Sequence, residues 1–377
     1  MGSSIWLYRF YDVAEEIDLV KVEEILAHIR TTSRVKLTRF SCRSVQFRDP
    51  PVAVDLGRVK LRVKGIPVEG AFSGKIYDLG VIGITLKLDL RGKSFEEIRE
   101  LGIILASLGE EVDPVVAGPQ CTESLDLGRE IDTGEELEND FLNQLNYVCK
   151  VLAPALIKPG QRDFMEDYTL YFFTSWESKW DPAPLLLAEN SPVSSQLRDE
   201  TLRHYLSYGP DDFTIITWDS ALVYDASGSS EIPDLLEFAI VELLELRYYD
   251  RLLDIEMEKI YKEIEEAGRA RFGRLGQYRR LMNRLMELML DITEITERIQ
   301  NSLKVTGDVF YARIYGTALT AFRTRSWMES VQRKVALVQQ NYTMLNSELI
   351  NQRGLMLEMA IVFLITLEII LGLMRLL

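Results

Sequence analysis

IPDLLEFAIVELLELRYYDRLLD, residues Ile232 to Asp254, is where the character of this chain changes. Pro233 and Asp234 open a helical pattern in which Leu243, Leu246, Tyr249, Leu253, Met257, Ile260 and Ile264 recur at spacings of three and four. Gly268, Gly273 and Gly276 interrupt it, and Tyr278, Leu281, Leu285, Leu288, Ile292, Ile295 and Ile299 resume it. The two runs predict an antiparallel helical hairpin. After a break around Gly307 and Gly316, a third run is the most regular, with Val331, Val335, Val338, Tyr342, Leu345 and Leu349 alternating three and four. Such a stripe serves either packing within one chain or a self-associating coiled coil, so these six residues are the candidate oligomer seam.

Upstream of residue 230 the pattern is mixed. Ile5–Tyr11, Val35–Phe40, Val59–Val63, Lys75–Leu90, Tyr168–Trp176 and Phe213–Tyr224 are rich in β-branched and aromatic residues bounded by turn formers. Leu19–Ile29, Phe95–Leu108, Glu135–Leu152 and Ser194–Leu206 have helical spacing. Strands and helices in mixed order predict an α+β domain over residues 1–230, compatible with two related halves.

Downstream of Gly354 the chain reads LMLEMAIVFLITLEIILGLMRLL, Leu355 to Leu377. At about 1.5 Å per residue this run matches a bilayer core of about 30 Å. At 100° per residue Glu358, Ile361, Ile365, Glu368, Gly372 and Arg375 share one stripe, and the rest of the circumference is apolar. The expectation is a single C-terminal transmembrane helix over 354–377, its polar stripe (Glu358, Glu368, Gly372, Arg375) facing another helix. The fold expected is thus an α+β N-terminal domain, a helical hairpin and coiled-coil stalk over 231–353, and a membrane anchor.

Composition narrows the function classes. A length of 377 residues predicts two or three structural units. Forty-three Lys and Arg against fifty-eight Asp and Glu leave a net charge of -15, unfavourable for nonspecific coating of nucleic acid. Cys42, Cys121, Cys149, His28 and His204 are too few and scattered for a zinc site or a disulfide framework, and no cofactor is expected. The N-terminus, MGSSIW, has neither the basic start and apolar run of a signal peptide nor Ser or Thr at position six for myristoylation.

Charge is polarised along the chain. Arg34, Lys36, Arg39, Arg43, Arg48, Arg58, Lys60, Arg62 and Lys64 crowd one stretch, whereas residues 96–140 are acidic; the two either pair internally or leave a polyanion surface. A second basic run, RARFGRLGQYRRLMNR, carries Arg269, Arg271, Arg274, Arg279, Arg280 and Arg284 with Phe272 and Tyr278 interleaved. It suits phosphate contact and base stacking, and equally the solvated tip of a hairpin. These six arginines are the candidate polyanion or RNA contacts.

Chemical motifs are sparse. Arg91-Gly-Lys-Ser94 lacks the upstream glycine of a phosphate loop, and Ser94 with Glu97 forms a capping-box pattern instead. Gly80-Val-Ile-Gly83 lacks dinucleotide spacing, so close packing is its default explanation. Asp211, Asp212, Asp219 and Asp225 surround a strand, where paired acids serve hydrolysis, or turns and caps. His204 has no Ser or Cys partner in sequence.

TWDSALVYD (Thr217–Asp225), LLEFAIVELLELRYYDRLLD (Leu235–Asp254) and LEMAIVFLITLEIILGL (Leu357–Leu373) resemble the family named "required for meiotic nuclear division". The resemblance implies a non-enzymatic protein anchored by its C-terminus in a mitochondrial inner membrane, or in the cytoplasmic membrane of a prokaryotic member. It also implies homo-oligomers that tether ribosomes, and it carries no catalytic residues. The function expected is a membrane-anchored oligomeric scaffold linking the translation machinery or RNA to the membrane. The alternatives are a carboxylate-dependent hydrolase or nucleotide-binding enzyme, and a scaffold for other membrane proteins. The expected partners are the lipid bilayer, further copies of the chain, ribosome or RNA, and a membrane protein.

Overall fold

The computed structural model describes residues 2–29, 37–39, 50–110, 129–160, 164–269, 276, 279–287, 289–290, 292–293 and 309–376. They form two compact units, one of residues 1–245 and 302–325, the other of 246–301 and 326–377.

The first unit is built on a ten-stranded mixed sheet. Its strands are β1 (Ser3–Asp12), β3 (Leu37–Arg39), β4 (Val52–Val63), β5 (Ile66–Ile76), β6 (Val81–Asp89), β7 (Arg129–Ile131), β9 (Met165–Phe173), β10 (Tyr205–Leu206), β11 (Asp212–Ile216) and β12 (Ser220–Asp225). The order is β10-β11-β12-β9-β1-β6-β5-β4-β3, with β7 beside β4; β2 (Ala14–Ile17) and β8 (Leu156–Pro159) pair separately. Most neighbours are antiparallel, while β12 runs parallel to β9 and β7 parallel to β4.

β1 lies centrally, antiparallel to both β6 and β9, and all ten of its residues are buried. Because side chains alternate, Ile5, Leu7, Arg9 and Tyr11 share one face and Trp6, Tyr8 and Phe10 the other. A strand buried on both faces must be covered on both. α1 (Leu19–Ile29), α2 (Phe95–Glu110) and α3 (Gly134–Leu152) cover the Arg9 face, where Phe72 of β5 meets Phe141 of α3 edge-on at 5.5 Å. The start of α6 (Glu231–Arg269) and α7 (Val309–Ala321) cover the Tyr8 face, with Phe238 stacked on Tyr315 at 6.0 Å. α4 (Pro182–Leu186) and α5 (Ser195–Thr201) complete the unit.

Local chemistry sets the element ends. α3 opens on a full capping box, Thr133 accepting from the Glu136 N–H and Glu136 accepting from the Thr133 N–H. Ser94 and Glu97 do the same for α2, so Arg91–Ser94 is a turn into a helix. Gly83 faces the Phe10 ring, where a Cβ would fall 2.6 Å from the ring edge. Gly80 turns the chain at φ +91, with a Cβ position blocked by the Ala14 carbonyl. Both glycines of that motif therefore serve close packing.

The second unit packs the later part of α6, a helical segment at 279–287 and α8 (Thr324–Leu376) around a shared core. The expected seam supplies it: Val331, Val338, Leu345 and Leu349 are buried, with Val335 and Tyr342 partly so, against Tyr249, Leu253, Met257, Ile260, Leu281 and Leu285. The stripe is used within one chain.

The expected anchor requires correction. Among the described residues no helix is long and apolar enough to cross a membrane. The apolar stretch that follows Gly354 ends α8 and has exposed side chains over residues 357–371. It also carries Glu358 and Glu368, both exposed. A single transmembrane helix, the lipid bilayer as a partner, a single-pass cytoplasmic or mitochondrial inner-membrane location and a membrane-anchored tether all lose their basis. The scaffold for other membrane proteins, which presupposed the same anchor, goes with them. The architecture is a mixed-sheet domain followed by long helices.

Candidate functional site: the free end of α8 and two buried ion clusters

Ion pairs fix how α8 lies in its unit. The Arg247 guanidinium sits 5.5 Å from the centre of the Trp327 ring, and Lys334 bridges Asp250 (2.8 Å) and Asp254 (2.6 Å). Both contacts advance in the same direction, so α6 and α8 run parallel. Their offset of about eighty residues sets the end of α6 level with about residue 350, and α8 continues roughly 40 Å beyond at 1.5 Å per residue.

That projecting part is apolar and uncovered. Leu355, Leu357, Met359, Ile361, Val362, Phe363, Leu364, Ile365, Leu367, Ile369, Ile370 and Leu371 are each 41–73% exposed. Glu358 and Glu368 face solvent as well, and no helix lies against them among the described residues. The side chains of Gly372 and Arg375, the rest of the expected polar stripe, lie outside the described residues.

The arginine connector is described only in part. Arg284 is taken up by α6, donating to Glu263 at 3.0 Å and to Glu256 at 2.5 Å, which ties the hairpin together. Arg279 and Arg280 are exposed. Arg271 and Arg274, and the side chain of Arg269, lie outside the described residues. In the upstream basic run Lys60 pairs with Glu69 at 3.5 Å, and the register sets Arg62 opposite Glu130. Arg34, Lys36, Arg43 and Arg48 lie outside the described residues, as does the side chain of Arg39.

Of the carboxylates of the hydrolase alternative, Asp212 and Asp225 are register partners across β11 and β12, with Asp211 beside them, while Asp219 lies at the far end of the hairpin. Asp212 accepts from the backbone of Tyr208 (2.7 Å) and Gly209, closing the turn before β11. Asp219, at the opposite end of β11, accepts from Thr217 Oγ1 at 2.8 Å, and Asp225 caps a turn through Ser227 at 2.8 Å. Asp211 contributes its carbonyl to the Ala226 N–H. The stretch Phe213–Tyr224 is a hairpin around Thr217–Asp219, and its acids are turn residues. No group of three or more potential metal-ligating side chains occurs among the described residues. His204 follows α5 half-buried, held below its ordinary pKa by burial and by Arg203.

Sequence reasoning missed two buried ion clusters, one on each face of β1. On the α3 face Arg9 donates to Glu138 (3.1 Å) and to the Tyr8 carbonyl, Tyr11 donates to Glu138 at 2.9 Å, and Asp167 lies 3.7 Å away. Burial works against the Arg9 charge, but Asp167 and Glu138 outweigh it and hold the guanidinium above its ordinary range. Burial first and Glu138 second push the Tyr11 hydroxyl well up.

On the α6 face Lys75 donates to Asp234 at 2.7 Å and to Glu237, and Tyr77 reaches Glu237 at 3.4 Å. The Tyr8 hydroxyl is buried near Glu237 but outside hydrogen-bonding geometry. Burial raises Asp234 to about 6 against the pull of Lys75. Asp12, at the end of β1, is raised to about 7 by burial alone. The only sequence signal for either cluster was a charged residue at an inward position of an apolar element.

The described residues form a mixed-sheet domain with a helical extension and hold no convergent catalytic set. The model for the family described as "Uncharacterized protein MJ0711, N-terminal domain" matches residues 2–231, well over half the chain, and the chain belongs to that family. The uncharacterized protein MJ0711 of Methanocaldococcus jannaschii is 29% identical over 256 residues, covering 65% of this chain and 75% of that protein. No solved structure matches. Nothing in these matches links the chain to meiotic division or to mitochondria.

Proposed function

We propose that this protein is a self-associating structural protein, joined to further copies through the apolar stretch of α8. The uncovered stretch from Leu355 to Leu371 carries the proposal. Fully burying such a side chain is worth about 1.5–3 kcal/mol, so covering twelve that are roughly half exposed yields on the order of 10–20 kcal/mol per chain. Association costs about 4–15 kcal/mol, so the balance favours assembly.

A second copy fits better than a single foreign helix. The apolar surface surrounds most of the helix, so one partner helix would cover one side and leave the rest wet. A symmetric set of identical helices covers more of that circumference than one partner does and turns Glu358 and Glu368 outward. The six seam residues pack inside the chain and so do not compete with the projecting end for partners.

Sedimentation equilibrium of the full chain in detergent-free buffer tests this. The expected result is a discrete multiple of 43.3 kDa, falling to the single-chain mass when Met359, Phe363, Leu367 and Ile370, on the face opposite Glu358 and Glu368, are all changed to Ser. A wild-type chain that stays at single-chain mass at tens of micromolar would sink the proposal, as would an assembly that survives the four changes.

A further inference from the structure

The cluster on the α6 face is unbalanced. Asp234 and Glu237, one turn apart on α6, both accept from Lys75, and Lys75 is the one cation acting on Asp234 among the described residues. The other groups facing the pair are hydroxyls: Tyr8 from β1, Tyr77 just after β5, and Ser230 ahead of α6. All of this lies beneath residues 232–246, where every α6 residue is buried. Two carboxylates against one ammonium leave one negative charge uncompensated in a low-dielectric interior, where an unpaired charge is strongly disfavoured.

The cheapest neutralisation is one proton taken from solvent. Protonation turns one carboxylate into a carboxylic acid, leaves the other to balance Lys75, and supplies an O–H donor to a site otherwise rich in acceptors. We propose that the Lys75–Asp234–Glu237 cluster is a proton-operated latch: uptake of one proton seats the first four turns of α6 on the sheet, and its release loosens them.

The direction follows from linkage. Asp234 sits at about 6 in the folded chain against an ordinary 3.8, so the seated form holds a proton that the open form has lost between those values. Stability of the seated form therefore falls as pH rises through that window and is level outside it. The inference is independent of how copies of the chain associate.

Native-state hydrogen exchange of the full chain between pH 4 and pH 7, corrected for intrinsic rates, tests the latch. Exchange through 232–245 is expected to rise about tenfold to a hundredfold across the window, the factor that follows for a carboxyl moved from 3.8 to about 6. Gly134–Leu152 of α3 should rise less. Asp234→Asn should flatten the rise, with Glu237→Gln as the second variant if the first fails to fold. Lys75→Met, which removes the ammonium both acids share, should move the rise to higher pH. A flat wild-type profile, a rise unchanged in Asp234→Asn and Glu237→Gln, or an equal rise in α3 would each overturn the latch.

Discussion

The two faces of β1 bury charge in opposite ways. On the α3 face one guanidinium meets one buried carboxylate, with Asp167 at the margin, and the Arg9 fork is filled by side chain and backbone together. On the α6 face one ammonium is shared by two carboxylates, and a tyrosine hydroxyl nearby stays unpaired. Arginine's planar fork is always charged, whereas a point-charge lysine between two acids leaves the proton count to pH. One face is thus a fixed fastening and the other an adjustable one, within a single strand's width.

Breaking each fastening should expose the difference. The largest effect is expected from Arg9→Met, which strands Glu138 in the core and should cost about 3–5 kcal/mol in urea denaturation at neutral pH. If that variant loses less than about 1 kcal/mol, the α3-face cluster is not a fastening. Next is the pH profile of the wild type. Asp234 alone should make stability fall by about 2 kcal/mol between pH 4 and pH 6, because the folded chain binds a proton there that the unfolded chain does not. Asp12, raised to about 7, acts in the same direction up to that pH. Asp234→Asn should remove the first share and leave the second; a wild type whose stability rises over this range would contradict the assignment.

Smaller effects sharpen the contrast. Tyr11→Phe deletes a 2.9 Å hydrogen bond to a charged group and should cost about 1.5–3 kcal/mol. Tyr77→Phe loses a 3.4 Å contact and should cost less than about 1 kcal/mol. Equal losses in the two variants, measured by the same denaturation series, would erase the distinction between the faces.

Much of the secondary structure is legible in the sequence. The spacing marks Leu19–Ile29 to the residue, and α2 and α3 to within a few, because each carries an apolar stripe and, in α2, the Ser94–Glu97 cap. β5 is largely hidden, because Glu69, Gly70, Ser73 and Gly74 dilute its β-forming signal; those glycines sit where Leu86, Leu88 and Ile84 crowd the strand. The Phe213–Tyr224 hairpin reads as one strand, since Trp218 and Thr217 in its turn are themselves strand formers. The candidate site is less legible: Arg9 and Glu138 are 129 residues apart, and Lys75 and Glu237 162.

The sequence by itself determined the early helices α1 to α3, where the chain turns helical, and that an apolar stretch follows Gly354, because propensity, capping and periodicity are local. Only the tertiary structure decided what those patterns are for. A three-four stripe looks the same whether its partner is the chain's own α6 or another copy, and here Val331 to Leu349 meet α6. An acid on an apolar helix is inert or titratable according to what lies across from it, and for Asp234 that is a lysine on β5 already claimed by Glu237.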